Sequence, residues 1–282
     1  MIEIPEAAVL ARQLNAAVRG RAILSAEANH SPHRFAWYTG DPAGYGVMLS
    51  GRQILGAVGS GGALELKLSG GLTLFFNDGP TLRLHKAGAK LPDKHQLLLM
   101  LDDGSALTAS IQMYGGVTAF PDDHVENVYL QGGREKPNPL TEAFDRAWFD
   151  RLLAGEGVGN LSAKAFLATE QRVPGLGNGV LQDILYNAQI HPRRKMETLN
   201  PDDLDRLYHS VKSTLAEMDS GGGRDTETGL YGLPGGYQTK LSRNTVGTAC
   251  PRCGSTIKKE PYLGGAIYWC PGCQAEPAKK GK

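Results

Sequence analysis

CPRCGSTIKKEPYLGGAIYWCPGC, residues 250–273, holds all four cysteines of the chain. Cys250 and Cys253 form one Cys-x2-Cys pair, and Cys270 and Cys273 the other, with sixteen residues between the pairs. Each pair sets two thiolates on one tight knuckle, and two knuckles complete a tetrahedron with Zn–S bonds of about 2.3 Å. The intervening Leu263-Gly264-Gly265-Ala266 predicts the turn of a two-stranded hairpin. Two disulfides are the alternative, but this spacing in a cytosolic chain favours metal. Four thiolates leave no open coordination position, so one structural zinc is expected.

Upstream, LSAKAFLATEQRVPGLGNGVLQDIL (161–185) predicts two helices separated by a Pro-Gly-x-Gly-Asn turn. Asn178 is placed to cap the second helix. The amides of Gly175 and Gly177, beside a helix N-terminus, make an anion site suited to a phosphate. Helical spacing recurs over Phe144–Leu153, Ser162–Gln171, Gly179–Ala188 and Asp202–Met218. The Gly-rich stretch Gly221–Gly236 is a candidate lid. Toward the N-terminus, Pro5 and Glu6 open a helix carrying Val9, Leu10, Leu14 and Val18 on one face. From Ala22 to Phe120 short apolar runs alternate with Gly-rich breaks, and Leu97–Leu101 with Ala106–Ile111 reads as a hairpin. The expected fold class is therefore α+β and multidomain. A β-sandwich spans 1–132, a linker 133–140, a helical domain 141–236, and a four-cysteine finger with a basic tail 237–282.

Composition adds limits. The 282 residues are 41% hydrophobic, enough for a sizeable core. No run reaches the roughly 18 apolar residues of a membrane span, and the acidic start Ile2-Glu3-Ile4-Pro5-Glu6 lacks the pattern of a secretory signal. A cytoplasmic protein is expected. Net charge is only +1, but residues 237–282 carry eight Lys/Arg against Glu260 and Glu276, a local +6, which leaves the rest at −5.

Pro174-Gly175-Leu176-Gly177-Asn178, then Asn187-Ala188-Gln189-Ile190-His191-Pro192, then the finger closing in Cys270-Pro271-Gly272-Cys273-Gln274 together resemble the formamidopyrimidine-DNA glycosylase / endonuclease VIII family. The resemblance extends to Glu3-Ile4-Pro5-Glu6 and Pro137-Asn138-Pro139-Leu140, and so covers essentially the whole chain. It implies a β-sandwich, a helix–two-turns–helix and a zinc finger. It also implies a cytoplasmic, nucleoid-associated monomer that binds duplex DNA and removes a damaged base flipped from the helix. DNA contacts are expected from Asn178, Gly175, Gly177, Lys164, Lys258 and Lys259.

The family's chemistry starts at an N-terminal proline followed by Glu, whose amine forms a Schiff base with the sugar and leads to strand cleavage. Here Ile2 precedes Glu3. A bulky Ile2 disfavours methionine removal, so the terminal amine is expected on Met1, one residue displaced from where an attack within about 3–3.5 Å would need it. The family's hairpin lysine has no counterpart in Val58–Ala63, nor its finger-tip arginine in Leu263–Ile267. The void-filling loop reads Gln112-Met113-Tyr114-Gly115-Gly116, in which Met113 or Tyr114 is a candidate wedge. Glu3, Glu6 and the Met1 amine are the catalytic candidates, with Glu3 expected to activate water for hydrolytic base release. The alternative is a catalytically inactive binder of damaged DNA with the same fold.

Overall fold

The computed structural model describes residues 1–122 and 127–276. Lys279, Lys280 and Lys282 of the expected basic tail lie outside these residues. Helix α1 (Ile4–Val18) starts at Pro5, whose fixed φ suits a first turn. It is followed by β1 (Ile23–Ala28), β2 (Ala36–Trp37), α2 (Tyr45–Leu49), β3 (Ile54–Ser60), β4 (Ala63–Leu68), β5 (Leu72–His85), β6 (Leu97–Leu101) and β7 (Ala106–Pro121). The strands form one seven-stranded sheet in the order β1-β6-β7-β5-β4-β3, with β2 parallel to β7 at Gly115–Gly116. The expected hairpin of Leu97–Leu101 with Ala106 onward is β6–β7.

Strands β5 and β7 pair along almost their whole length, but their register breaks between Asp78 and Pro80. Asp78 faces Gly115 and Pro80 faces Ile111, so Gln112, Met113 and Tyr114 stand opposite Gly79 alone. Such a bulge bends the ladder and ejects side chains from it. Met113, with 71% of its surface exposed, is one of those ejected.

Helix α3 (Val128–Glu135) runs into the segment expected as a linker, because Asn127 caps it through Tyr129 N and Leu130 N. The helical domain then holds α4 (Arg146–Leu153), α5 (Ala163–Ala168), α6 (Val180–Asn187) and α7 (Pro201–Ser220). Side-chain caps set three of these starts: Asp145 for α4, Ser162 for α5, and an Asn200/Asp203 capping box for α7. Strands β8 (Lys258–Tyr262) and β9 (Gly265–Trp269) make the finger hairpin, turning at Leu263-Gly264.

Two apolar cores result. One packs Ala7, Leu10, Leu14 and Val18 of α1 against the sheet. The other gathers α4 to α7 and takes Ile4 from the same helix. Helix α1 is thus shared by both domains, and its N-terminal residues lie at their junction. Among the described residues, no helix is long and apolar enough to cross a membrane.

Candidate active site

The N-terminal strand of chain is clamped between the domains by its own backbone. Ile2 N donates to the Asp78 carbonyl at 2.7 Å, and Ile4 N to the Gly175 carbonyl at 3.1 Å. Beside this clamp lies a cleft of about 150 Å³, bordered by Met1, Ile2 and Glu3, by Asn77 and Asp78 from the sheet, and by Gly175 and Gly177. Gly175 has φ +79°, and a Cβ there would stand 1.9 Å from Gly62 N. The β3–β4 turn, Ser60-Gly61-Gly62-Ala63, can meet the helix–turn–helix only because both chains are bare at this point.

Glu3 is buried at 4% exposure. Its two oxygens accept from Gly179 N at 2.9 Å and Val180 N at 2.7 Å, the first amides of α6. Asn178, expected as the cap, therefore does not fill that role; a carboxylate 176 residues away does. A formal charge completes the dipole of α6 better than a neutral amide. Glu6 pairs with Arg224, whose Nε and Nη2 donate at 2.9 and 2.7 Å. The same guanidinium sends Nη1 to within 3.3 Å of Glu3. Burial raises the Glu3 pKa, the Arg224 charge pulls it down, and the neighbouring Glu6 pushes it up again; the net direction is up. For Arg224, burial alone would weaken its hold on the proton, but the two carboxylates outweigh it and its pKa rises.

Nothing in the sequence marks Arg224, which sits in the stretch expected as a lid. That stretch is pinned down instead. Arg224 is 2% exposed and Leu230 is buried in the sheet core. Arg83 donates to the Gly229 carbonyl and to Thr228 Oγ1. A Cβ at Gly179 would lie 1.7 Å from Arg224 Nη1, so the glycine clears the path of the guanidinium. The tip, with Tyr231 and Leu233, is exposed.

The Met1 amine reaches the edge of the cleft, where it meets Glu227 at 2.7 Å. Asp78 is a second carboxylate of the cleft that the motifs do not flag. Its backbone is left-handed, φ +67°, an uncommon state for a side-chain-bearing residue. Burial raises its pKa, against a hydrogen bond from Asn77 at 2.6 Å. Tyr114, the last residue of the bulge, has its hydroxyl 4.0 Å from Met1 Sδ and its ring 6.1 Å from that of Trp37. Phe35, Trp37 and Met113 are all exposed on this side of the sheet.

The remaining expected contacts divide. Lys164 is not a surface cation: it is 3% exposed, and Nζ donates to the Tyr262 carbonyl at 2.7 Å. Burial lowers its pKa, and its task is to hold the finger hairpin against α5. Asn178 likewise points to the finger, donating to the Ala266 carbonyl at 3.0 Å, while its buried Oδ1 has no partner. Gln182 ties β9 to α6 through Tyr268 N at 2.9 Å. Asp183 holds the chain entering the finger through Lys240 N and Leu241 N. Lys258 and Lys259 are exposed, and their ammonium groups lie over Trp269 and Tyr268.

Cys250, Cys253, Cys270 and Cys273 converge, with all four sulfurs within 4.8 Å of one another. The measured pairs are 3.8 Å for Cys250–Cys273 and 3.3 Å for Cys253–Cys270. A tetrahedron with bonds of about 2.3 Å separates its sulfurs by about 3.8 Å. The four residues thus fit a tetrahedral thiolate-bound ion, and among the described residues no other cysteine competes for them.

No family model matches the chain. Curated relatives do. The formamidopyrimidine-DNA glycosylase of Pelotomaculum thermopropionicum is 30% identical over 287 residues, which cover 97% of this chain and 99% of the relative. That of Thermus thermophilus is 30% identical over 285 residues, 98% and 99% of the two chains. Among solved structures, the Thermus thermophilus Fpg protein superposes with a TM-score of 0.80 at 25% identity, covering 98% of this chain and 99% of that one. Lactococcus lactis Fpg in complex with an N7-benzyl-Fapy-dG containing DNA gives 0.82 at 25% identity, over 97% and 100%. Both lines of similarity run end to end through sheet, helical turn and cysteine finger, and on that ground the chain belongs to the formamidopyrimidine-DNA glycosylase family.

Proposed function

We propose that the chain is a DNA glycosylase that binds duplex DNA, takes a damaged base out of the stack and releases it by hydrolysis, without the Schiff-base lyase step. The observation that carries this reading is the pairing of Ile2 with Glu3 at the cleft. The nitrogen at the position of the family's proline is a peptide amide donating to Asp78, and such an amide has no free lone pair with which to attack a sugar. Glu3, in contrast, keeps its family position beside the cleft with a raised pKa, the direction that suits a proton acceptor working nearer neutrality. Water would attack C1′, the glycosidic bond would break with its electron pair leaving on the base, and Glu3 would take the water proton.

The Met113/Tyr114 bulge would fill the space of the extruded base. The relatives solved with damaged DNA support a duplex as ligand, and the finger would hold one structural zinc that keeps β8–β9 folded beside α6. Lys259, exposed on the finger, would reach phosphate directly; Lys258, paired with Glu276 at 3.8 Å, and Asn178, bound to Ala266, would have to release those partners to do so.

One observation favours a second reading, a damage-recognition protein without chemistry. Both Glu3 oxygens already accept from amides, and Arg224 stands beside them. Duplexes with oxidised, alkylated, deaminated or abasic sites separate the two. Base release that vanishes in Glu3→Gln supports hydrolysis, whereas tight binding with no release from any lesion supports the second reading.

A further inference from the structure

Away from the cleft, the end of β1 and the start of β6 bring Glu27, His30 and His95 together, with one ligand-type atom of each within 4.8 Å of the others. Glu27 pairs with Leu98 in the β1–β6 ladder, so the turn after β1 and the approach to β6 lie side by side. His30 Nδ1 is 2.8 Å from one Glu27 oxygen, and His95 Nε2 is 3.7 Å from the other. The two imidazoles stack with centroids 4.5 Å apart.

His95 is fixed by its surroundings. It is 5% exposed, and its Nδ1 lies 3.2 Å from the Pro92 carbonyl. That carbonyl only accepts, so Nδ1 donates to it, and Nε2 is the ring nitrogen turned toward Glu27. Nε2 is buried and has no hydrogen-bond partner. It stands 3.7 Å from a Glu27 oxygen, so a buried ring nitrogen without a partner and a carboxylate face the same space. A backbone carbonyl holding the far ring nitrogen is the usual support of a metal-bound histidine.

We propose that Glu27, His30 and His95 form a second metal site, for a first-row divalent cation of the zinc class, separate from the four thiolates. Two imidazoles and one carboxylate suit such an ion, with water in the remaining position. Parallel stacked rings cannot both aim lone pairs at one point, so binding requires one ring to turn. His30 is the one placed to do so, its side chain 46% exposed and hydrogen-bonded to Glu27 beside the stacked His95 ring. The ion would fasten the loop from Asn29 to Phe35 onto the sheet. That loop runs into β2, which pairs with Gly115–Gly116 next to Met113, so the site would steady the exposed aromatic side of the wedge.

Metal analysis of the full-length protein, equilibrated with zinc and then dialysed, tests this. Wild type is expected to hold two equivalents, with His30→Ala and Glu27→Gln each holding one. Affinity for the second equivalent should fall by more than the roughly 10- to 100-fold that loss of an outer partner costs a metal-bound histidine. With the thiolate site already filled, further zinc should raise Tm in wild type and not in either variant. With cobalt as the probe, the second equivalent should lack thiolate-to-metal absorption. One equivalent in wild type, or a second equivalent that survives both substitutions, would overturn the proposal. His95→Gln is a third variant, but Glu27 and His30 lie at the surface and decide the question even if the buried position does not tolerate change.

Discussion

Arg224 lies between Glu3 and Glu6, and its removal would leave two buried carboxylates facing each other across the domain junction. Breaking a buried pair by deleting one partner costs about 3–5 kcal/mol, far more than an exposed pair contributes. Arg224→Met should therefore lower stability by about that amount in denaturant unfolding, and an effect below about 1 kcal/mol would contradict the buried cluster. Glu3 gives a pH signature. Its folded pKa is raised, so between the ordinary value of 4.5 and the folded value the native state binds the extra proton. The stability that neutral Glu3 contributes is complete below the unfolded pKa and disappears as pH rises through the folded one. Wild type should lose stability relative to Glu3→Gln as pH rises over that window; a wild type that gains stability on the variant with rising pH would have the wrong sign. In the proposed reaction the acid limb of base release lies above 4.5 for the same reason. Of these residues only Glu3 and Glu6 were legible in the sequence, Glu3 through the family resemblance and Glu6 also through its place after Pro5. Arg224 stands 218 residues after Glu6 in a Gly-rich loop, where no periodicity or motif spacing reports on burial. Lys164 misled for the opposite reason: a lysine in a short helix looks solvated until a carbonyl from a distant hairpin is placed over it.

At the scale of elements, the β5–β7 bulge and the finger hairpin carry the testable features. Three residues opposite one force Met113 outward, and Met113→Ala should weaken binding to a lesion duplex by on the order of 10-fold, while undamaged duplex binds almost unchanged. Equal losses on both duplexes, measured by anisotropy, would reject the wedge. The finger has only a small core, in which Leu241 and Ile257 pack with Tyr186 of α6. Zinc chelation should therefore abolish hydrogen-exchange protection in β8 and β9 while β5 and β7 stay protected. The hairpins and most helices were readable from apolar spacing and turn residues. The helix boundaries were not, because caps such as Asp145 and Ser162 shorten the runs that periodicity alone would extend. The bulge was invisible too, since an interrupted register is a property of two strands and not of either sequence.

Across the whole molecule, one helix joins two cores, and the order of parts follows from that arrangement. The order was readable from end to end because the Pro-Gly-x-Gly-Asn turn and the Cys-x2-Cys pairs have fixed spacings. How the domains meet was not, for it depends on the bare backbones at Gly62 and Gly175 and on a carboxylate reaching across to α6. In the proposed reading, this junction holds Ile2 at the position of the family's proline, with Glu3 as the acidic group beside it. Borohydride trapping during base release on a panel of lesion duplexes tests this directly. The account predicts release of a damaged base, lost in Glu3→Gln, with no covalent protein–DNA adduct at any stage. A trapped adduct would contradict it, and so would the absence of release from every lesion.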